Sequence, residues 1–343
     1  MNRLLIIALL VGPLFSQSLT QRLAAPIFYE IGVQPGFQSN PLNLSDVELE
    51  KSAEDGEYLN GIENSSSNVL SLSARLSYAP RIFAGRKTRF NASMTYHHYQ
   101  DISQRSYASM SFSVKQSLGK YRYVDVGYWI LPEYYLRNYR FTDPQTLFTS
   151  REVCKFGTDR AWLGFEHRLT RKNTIEYRLT VRNEIYQAPF SLYDMNMKEA
   201  DLKLSMGQFK AVKFNTEFQY GMADNDNAVD DKDRSYEYFN IRPTLTMNLF
   251  SEHRLRIASR YEQRAYQSEQ NDDPLHAGRY QEEVRLDVTL LPQLAGPFVV
   301  EPFVGYRERL VDSSDPAVRD LKSFNRYWFG IRLGFKSVID MYF

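Results

Sequence analysis

The chain has 343 residues, of which 43% are hydrophobic and 14% aromatic, and its formal net charge is +1. This charge balance gives no bulk attraction to nucleic acid, and beyond the N-terminus no stretch approaches the ~20 apolar residues of a transmembrane helix. The single cysteine, Cys154, excludes an intrachain disulfide and a zinc cluster built on cysteines. We expect it to be an incidental thiol in a loop.

The N-terminal segment has the pattern of a secretory signal peptide. Arg3 precedes an apolar run that begins at Leu4, and the small residues Ser16 and Ser18 follow it. This order of basic, apolar and small residues is typical of exported proteins. The alternative is a membrane anchor, for which the apolar run is short. We therefore expect residues 1–18 to be a signal peptide and residues 19–343 to form the mature domain.

The mature chain contains about fourteen segments in which apolar residues occupy every second position. A period of two indicates strands with two unlike faces, and no window shows a convincing helical period. Several segments are much longer than the usual five or six residues of a globular strand. The predicted strands are 29–38, 68–78, 89–99, 107–118, 122–137, 160–169, 174–187, 200–209, 212–222, 236–250, 254–266, 280–290, 298–310 and 325–343.

The connections between these segments alternate between long polar loops and short turns. Residues 39–67, 138–159 and 223–235 are long, whereas "GKY", "TRKN" and "SEH" are short. An even number of strands with this asymmetry indicates a bacterial outer-membrane β-barrel, with both termini on the short-turn, periplasmic side. A secreted β-sandwich also alternates, but it does not explain the unequal loops. Residues 146–158 have some strand character, which leaves the strand count open by two.

Only one orientation of the strands suits a lipid environment. In segment 280–290, Val284 and Leu286 alternate with Arg285 and Asp287. An arginine facing lipid at the midplane costs about 2–4 kcal/mol, so the charged rows must face the interior, where basic residues outnumber acidic ones. The predicted pore-lining residues are Arg178, Arg182, Arg242, Arg254, Arg256, Arg260, Arg264, Arg285, Arg307, Arg309, Arg326 and Arg332.

Two interpretations of the inward charges stay open. In the first, arginines and carboxylates form ion pairs that rigidify the wall. In the second, the excess arginines form a basic track, because charge of one sign selects permeants of the other and arginine suits carboxylates and phosphates. Some aromatic residues also fall on the inward rows, where they either pack against the wall or stack on sugars. They are Trp129, Tyr135, Trp162, Tyr236, Tyr238 and Trp328.

The chain ends in "FKSVIDMYF", in which Phe335, Ile339, Met341 and Phe343 occupy alternating positions. This ending looks like the C-terminal signal that outer-membrane barrels present to the barrel-assembly machinery. With the signal peptide and the strand pattern, the chain resembles porin-like outer-membrane proteins. The early "EIGVQPGFQSNPLNLSD" is similar to the first strand and loop of porins associated with exopolysaccharide export. These resemblances imply contact with outer-membrane lipid and lipopolysaccharide.

Other clusters of polar residues give no catalytic or metal-binding motif. "DNDNAVDDKD" lacks the glycine and the terminal glutamate of a calcium loop, so we expect a solvated loop. Among the histidines, His98 and His167 fall on the predicted lipid face, but no Ser-His-acid order stands out. We therefore expect no enzyme activity, no cofactor and no metal.

The sequence thus predicts an all-β protein, a transmembrane antiparallel up-and-down β-barrel of about 14 strands. The first functional hypothesis is a channel that passes small anionic or sugar-like solutes through an arginine-lined lumen. The alternative is a non-enzymatic barrel that assists export or assembly of polysaccharides or surface lipoproteins. An open lumen favours the first, and a lumen covered by residues 39–67 or 138–159 favours the second. A Ser–His contact on the lipid-facing wall would favour a third, a hydrolase.

Overall fold

A single antiparallel sheet that closes on itself forms the body of the protein. In the computed structural model, residues 19–54, 62, 65–142, 146–209, 212–225, 233–249, 253–268, 273 and 275–340 are described. The predicted signal peptide, residues 1–18, lies outside them. The strands are β1 (Ile27–Gln38), β2 (Ser67–Tyr78), β3 (Thr88–Tyr99), β4 (Tyr107–Gly119), β5 (Arg122–Thr142), β6 (Thr149–Arg168), β7 (Asn173–Tyr186), β8 (Met195–Phe209), β9 (Val212–Asn225), β10 (Tyr236–Ile241), β11 (Thr244–Leu249), β12 (His253–Tyr266), β13 (Tyr280–Pro292), β14 (Phe298–Asp312) and β15 (Phe324–Ile339).

These segments make a closed ring of fourteen strands. Each strand pairs with its neighbours in the chain, and β1 pairs with β15 to close the ring. Both β10 and β11 lie between β9 and β12, so they are two halves of one strand. The interruption falls at Arg242 and Pro243, because proline has no N–H to donate to a ladder. The prediction of an all-β antiparallel barrel with fourteen strands is confirmed.

The hairpin of β5 and β6 differs from the sequence prediction. Residues 138–159 were expected to be a long loop, but β5 continues to Thr142 and β6 begins at Thr149. The aromatic and β-branched residues of this stretch, among them Tyr139, Phe141 and Val153, favour strand structure. Cys154 consequently lies buried within a strand, and its expected place in a loop is wrong.

The remaining regular structure is helical and short. The helices are α1 (Leu19–Leu23), α2 (Asp46–Glu54) and α3 (Pro316–Lys322), of which α2 and α3 lie in the first and last long loops. Helices of this length are too short to show a helical period in the sequence. Within the described parts of the chain, no helix is long and apolar enough to span a membrane.

The connections separate by length onto the two ends of the barrel. The loops after β1 and β14 are long, and they lie at the same end as the other odd-to-even connections of the first nine strands. The turns after β4, β6 and β8 are short and lie at the opposite end. Because β1 starts and β15 finishes at the short-turn end, the chain enters and leaves the barrel there.

Candidate functional site

The outward face of the barrel is a continuous apolar surface. Leu179 is 64% exposed, Phe329 51% and Leu286 41%, and similar residues recur on nearly every strand. An exposed apolar surface of this extent is not expected on a protein surrounded by water. It is the apolar band that a transmembrane barrel presents to lipid.

The twelve predicted pore-lining arginines lie on the opposite, inward rows. On β7, for example, Arg178 and Arg182 alternate with the exposed Leu179 and Val181. Arg242 stands at the break between β10 and β11, where its backbone still pairs with that of Glu217. The arginines of β12 to β15 follow the same alternation. Their contribution to the passage of solutes stays a prediction.

The predicted assembly signal is only partly within the described residues. Phe335 lies on the outward row of β15, where its ring is 5.7 Å from that of Phe298. Ile339 ends the same row and is 52% exposed. Met341 and Phe343 lie outside the described residues. Recognition by the assembly machinery stays a prediction for all four.

The inward wall of β12 to β14 is held together by two buried glutamates. Glu262 and Glu283 face each other directly across the β12–β13 ladder, and each is only 1% exposed. Glu262 forms ion pairs with Arg260 and Arg264. The Nε of Arg264 lies 2.7 Å from Oε1 of Glu262. A buried carboxylate stays charged only where cations and hydrogen bonds replace its water. Two guanidiniums meet this need at Glu262.

Glu283 has the same arrangement with arginines of β14. Its Oε2 lies 2.6 Å from Nη2 of Arg307 and 3.0 Å from Nη2 of Arg309. Charge-assisted hydrogen bonds of this kind are about twice as strong as neutral ones. Four of the predicted arginines therefore neutralise two glutamates of the wall rather than facing a free lumen.

A second network joins β7, β8, β9 and β10. Glu199 is 4% exposed and accepts hydrogen bonds from the Tyr238 hydroxyl at 2.6 Å and from Gln219 Nε2 at 3.1 Å. Arg182 Nη1 lies 3.4 Å from the same carboxylate. The network thus satisfies the charge of Glu199 from three neighbouring strands.

Further ion pairs lie nearer the short-turn end. Arg242 Nη1 is 2.7 Å from Glu217, and Arg332 bridges Glu301, at 3.1 Å, and Glu30. The contacts of Arg332 cross the seam at which β15 closes the barrel between β14 and β1. Most of the predicted pore-lining arginines are therefore paired, which supports the interpretation that ion pairs rigidify the wall.

Three of the twelve predicted arginines have no carboxylate partner among the described residues. Within the described parts of the chain, no carboxylate forms an ion pair with Arg254, Arg256 or Arg326. Arg256 Nη2 has only a 3.4 Å contact with the hydroxyl of Thr289, and the guanidinium of Arg326 lies 5.4 Å from the Trp328 ring. These three side chains therefore lack, within the described chain, the carboxylate partner that the other nine predicted arginines have.

The wall of β2 to β4 is built from small hydroxyl and amide side chains. Ser93 Oγ is 2.8 Å from Ser111 Oγ, and Asn91 Nδ2 donates to Ser113 Oγ at 3.1 Å. Such short side chains project little into the lumen. The charge pattern of the sequence does not reveal this serine wall, but serine occupies every second position of 71–77 and 109–117 except Arg75 and Lys115, and this repeat is the signal that could have found it.

A polar cavity of about 340 Å³ lies inside the barrel beside the serine wall. Its lining includes Ser111, the indole rings of Trp129 and Trp162, and the guanidiniums of Arg178 and Arg242. This volume falls within the roughly 300–1,000 Å³ of small-molecule pockets. In this cavity two of the predicted arginines and two of the predicted aromatic residues lie together.

The inward aromatic rings lie flat against glycines of neighbouring strands. A Cβ atom on Gly127 would lie 2.1 Å from the Trp162 ring, and one on Gly305 would lie 2.2 Å from the Trp328 ring. Trp328 is only 9% exposed, so it packs against the wall, as do the buried Tyr236 and Tyr238. Trp162 lies against Gly127 and also lines the cavity.

The first long loop folds over the inward ends of the strands at the long-loop mouth. We call its described residues 39–54 the mouth strap. Leu42 and Leu44 are 3% and 0% exposed and pack with Tyr99, the last residue of β3, and with Tyr135 of β5. The strap therefore packs against the wall at the long-loop mouth.

Both ends of the mouth strap are tied to the barrel. Asn40 Nδ2 donates to the backbone oxygen of Asn325 at the start of β15, at 3.1 Å. The Glu48 carboxylate in α2 forms an ion pair with Arg137 of β5. Ser45 caps α2, since its Oγ accepts from the Glu48 N–H at 3.2 Å and Glu48 accepts from the Ser45 N–H at 3.0 Å. The strap thus reaches from β15 to β5 across the mouth.

One Ser–His contact is present on the outward face. His98 Nδ1 lies 3.3 Å from Ser106 Oγ, which also accepts a hydrogen bond from the backbone N–H of Tyr99 at 3.1 Å. A hydrolytic nucleophile needs a base that a third group orients. No carboxylate or amide side chain hydrogen-bonds to the His98 ring in the part of the chain that is described. The contact lacks the geometry of a hydrolase triad.

The ring of fourteen strands, the apolar exterior and the charged interior define a bacterial outer-membrane β-barrel protein. No protein-family model matches the chain. No curated protein matches its sequence.

Among solved structures the chain is similar to the outer-membrane channel DcaP of Acinetobacter baumannii, at 8% identity and a TM-score of 0.48, with 91% of this chain and 97% of that chain covered. It is also similar to OmpT, an outer-membrane protein of Vibrio cholerae, at 8% identity and a TM-score of 0.47, covering 92% and 98%. A third is an anion-selective porin from Comamonas acidovorans, at 8% identity and a TM-score of 0.41, covering 92% and 99%.

Proposed function

We propose that this protein is an outer-membrane channel that passes small anionic or sugar-like solutes through a basic, arginine-lined lumen. The observation that carries the proposal is the positive charge that Arg254, Arg256 and Arg326 leave uncancelled on the inward face. A lumen with excess charge of one sign favours permeants of the other sign. Guanidinium groups bind carboxylates and phosphates in a planar, two-point fashion.

The proposed orientation has both termini in the periplasm and the mouth strap on the cell surface. It is supported by the short turns at the end of the barrel where the chain enters and leaves, because outer-membrane barrels have short periplasmic turns and long external loops. In the same orientation, the barrel-assembly machinery would bind β15 during insertion through its outward side chains Phe335 and Ile339.

The reversal potential across a planar bilayer under a KCl gradient tests the channel. We expect anion selectivity for the purified protein. Arg254→Glu and Arg256→Glu, alone and together, should weaken or invert this selectivity. Lys198→Glu is the matched control, since Lys198 lies on the outward row of β8 with its side chain 68% exposed, and it should leave the reversal potential unchanged.

Two results would contradict the proposal. Cation selectivity, or selectivity that neither arginine substitution changes, would refute the proposal that the lumen is basic. Absence of conductance from correctly folded protein would refute the proposal that the protein is a channel.

A second function is favoured by the mouth strap. A barrel whose lumen is covered at the surface suits a non-enzymatic role in the export or assembly of polysaccharides or surface lipoproteins. The buried contacts of Leu42 and Leu44 support this alternative. It predicts that folded protein conducts only after the strap is released, which separates it from a permanently open channel.

A further inference from the structure

We infer that the cavity of about 340 Å³ beside the serine wall is a binding site for a saccharide unit. The inference rests on the proposed function, because it names the class of solute that the lumen would hold. It concerns binding rather than conduction, so it can be tested on protein in which no current is measured.

The first argument is the presence of two accessible indole rings. Trp129 and Trp162 are both half-buried and line the cavity together. Trp162 is fixed in place, since its Nε1 donates to Asp125 Oδ2 at 2.6 Å and its ring lies against Gly127. A ring that is already immobilised loses little entropy when a ligand stacks on it. The C–H faces of a pyranose ring stack on such aromatic surfaces.

The second argument is that donors and acceptors alternate around the same cavity. Arg178 and Arg242 supply guanidinium donors, whereas Asp201 and Glu217 supply carboxylate acceptors, and Gln219 offers both. A hydroxyl group both donates and accepts, so neighbouring hydroxyls of a sugar can use every one of these side chains. This mixture is typical of pockets in which a few polar groups orient a ligand.

Two carboxylates of the lining disfavour a bare anion as the occupant. Asp201 and Glu217 would repel an anion such as phosphate at close range. Arg242 already pairs with Glu217, and Arg178 pairs with Glu176. Arg160, which also lines the cavity, has no ion pair with a described carboxylate and lies 5.7 Å from the centre of the Trp129 ring, so a single guanidinium rather than a cluster stands beside the two carboxylates. One oxygen of Asp201, Oδ1, is buried with no hydrogen-bond partner among the described residues. An acceptor in this position favours a ligand that carries hydroxyl donors.

The test uses the intrinsic fluorescence of the protein. The chain has three tryptophans, and two of them line the cavity. We would titrate purified protein, in a detergent without a sugar headgroup, with maltotriose, cellotriose, mannotriose and trigalacturonate, and with inorganic phosphate for comparison. We expect at least one saccharide to give a saturable change in tryptophan emission and phosphate to give none.

Three tryptophan variants assign the signal. Trp328→Phe should retain the response, because Trp328 is buried against Gly305 outside the cavity. Trp129→Phe and Trp162→Phe should each reduce its amplitude. Trp129→Ala should weaken the apparent affinity roughly tenfold, the effect of losing one aromatic contact. Because Trp129→Ala could impair folding, Asp201→Asn serves as a second binding variant, and its strand content is checked by circular dichroism.

The inference is overturned if no saccharide of the panel gives a saturable response, if phosphate alone gives one, or if the response persists in the Trp129→Phe/Trp162→Phe double variant. Saccharide binding without anion selectivity would refute the basic lumen and support this binding site. Anion selectivity without saccharide binding would support the basic lumen and refute this binding site.

Discussion

At the scale of single residues, the lumen depends on carboxylates that are buried yet ionised. Glu262 and Glu283 stand opposite each other in the β12–β13 register, an arrangement in which two like charges repel. The arginines on either side convert this repulsion into a network that spans three strands. The cost of burial is offset only while every member of the network is present.

We expect Glu283→Gln to destabilise the barrel by about 3–5 kcal/mol, because Arg307 and Arg309 then remain buried without their counter-charge. Equilibrium unfolding in urea, with the protein in lipid vesicles, measures the change. Asp287→Asn is the matched control on the same strand, since the Arg285–Asp287 pair is 40% and 32% exposed, and the expected cost is about 1 kcal/mol or less. Equal costs for the two variants would refute the argument.

At the scale of elements, the mouth strap is held at the long-loop mouth by few contacts. Its apolar contacts lie against Tyr99 of β3 and Tyr135 of β5, and its charged contact is the Glu48–Arg137 pair. Loops held by few contacts open more readily than the strands that carry them. A small number of side chains therefore holds the strap in place.

Glu48→Gln should loosen the strap, because it removes the charge that pairs with Arg137. The expected result is a higher single-channel conductance, or the appearance of conductance where the native protein shows none. Glu50→Gln, on the exposed face of the same helix, is the control and should behave as the native chain. Conductance that is identical in all three proteins would show that the strap does not limit access.

The packing of α3 against α2 should depend on pH through Lys322. Burial, together with the positive charges of Arg137 and Arg279, lowers the pKa of Lys322 from its ordinary value of 10.5 to about 7. A lowered pKa means that the folded arrangement disfavours the charged form. Its stability should therefore rise as pH increases from about 7 toward 10.5 and be lowest below pH 7.

Amide hydrogen exchange measures this dependence. After correction for intrinsic rates, α3 should be better protected at pH 9 than at pH 6. Lys322→Met should abolish the difference, whereas Lys51→Met, at an exposed position of α2, should preserve it. Protection that falls with rising pH in the native protein would reverse the sign and disprove the argument.

At the scale of the whole molecule, closure depends on the seam between the first and last strands. Here β1 and β15 approach closely: a Cβ atom on Gly330 would lie 2.4 Å from the backbone oxygen of Pro35 and 2.8 Å from the Cα of Gly36. Backbone atoms at these distances cannot move aside as a flexible side chain can. Glycine at this position is therefore a requirement of the seam.

Gly330→Ala should destabilise the closed barrel by roughly 1–3 kcal/mol, as an overpacked contact does, and should lower its urea midpoint. Gly334→Ala is the matched control on the same strand and the same face, because its Cβ would lie 3.3 Å from the Val299 side chain and 3.6 Å from the backbone oxygen of Ile31, the latter an ordinary van der Waals contact. We expect a smaller shift for this control. A Gly330→Ala midpoint equal to the native value would show that the seam tolerates a side chain.

Several predicted strand limits agree closely with the structure, since the segments 212–222 and 254–266 fall within β9 and β12. The hairpin of β5 and β6 was mistaken for a loop, because its charged residues Arg140, Arg151 and Glu152 masked the alternation that Tyr139 and Phe141 continue. Strand structure that extends beyond lipid does not need an apolar outward row, so the pattern that marks a membrane strand weakens there.

The sequence by itself determined which face of each strand is wet. The alternation of Val284 and Leu286 with Arg285 is a local property, and the cost of an arginine in lipid leaves one orientation only. The twelve arginines could therefore be placed on the inward rows without knowledge of the fold.

Only the tertiary structure decided which of those arginines have a carboxylate partner and where the first long loop packs. Arg332 reaches Glu30 from the other end of the chain, and Glu48 reaches Arg137 from a loop that no strand pattern describes. The cavity beside the serine wall likewise combines Trp129, Trp162 and Asp201 from three strands. These residues become neighbours through the register of the strands and the closure of the barrel. The alternation of apolar and polar residues along one strand carries no information about either.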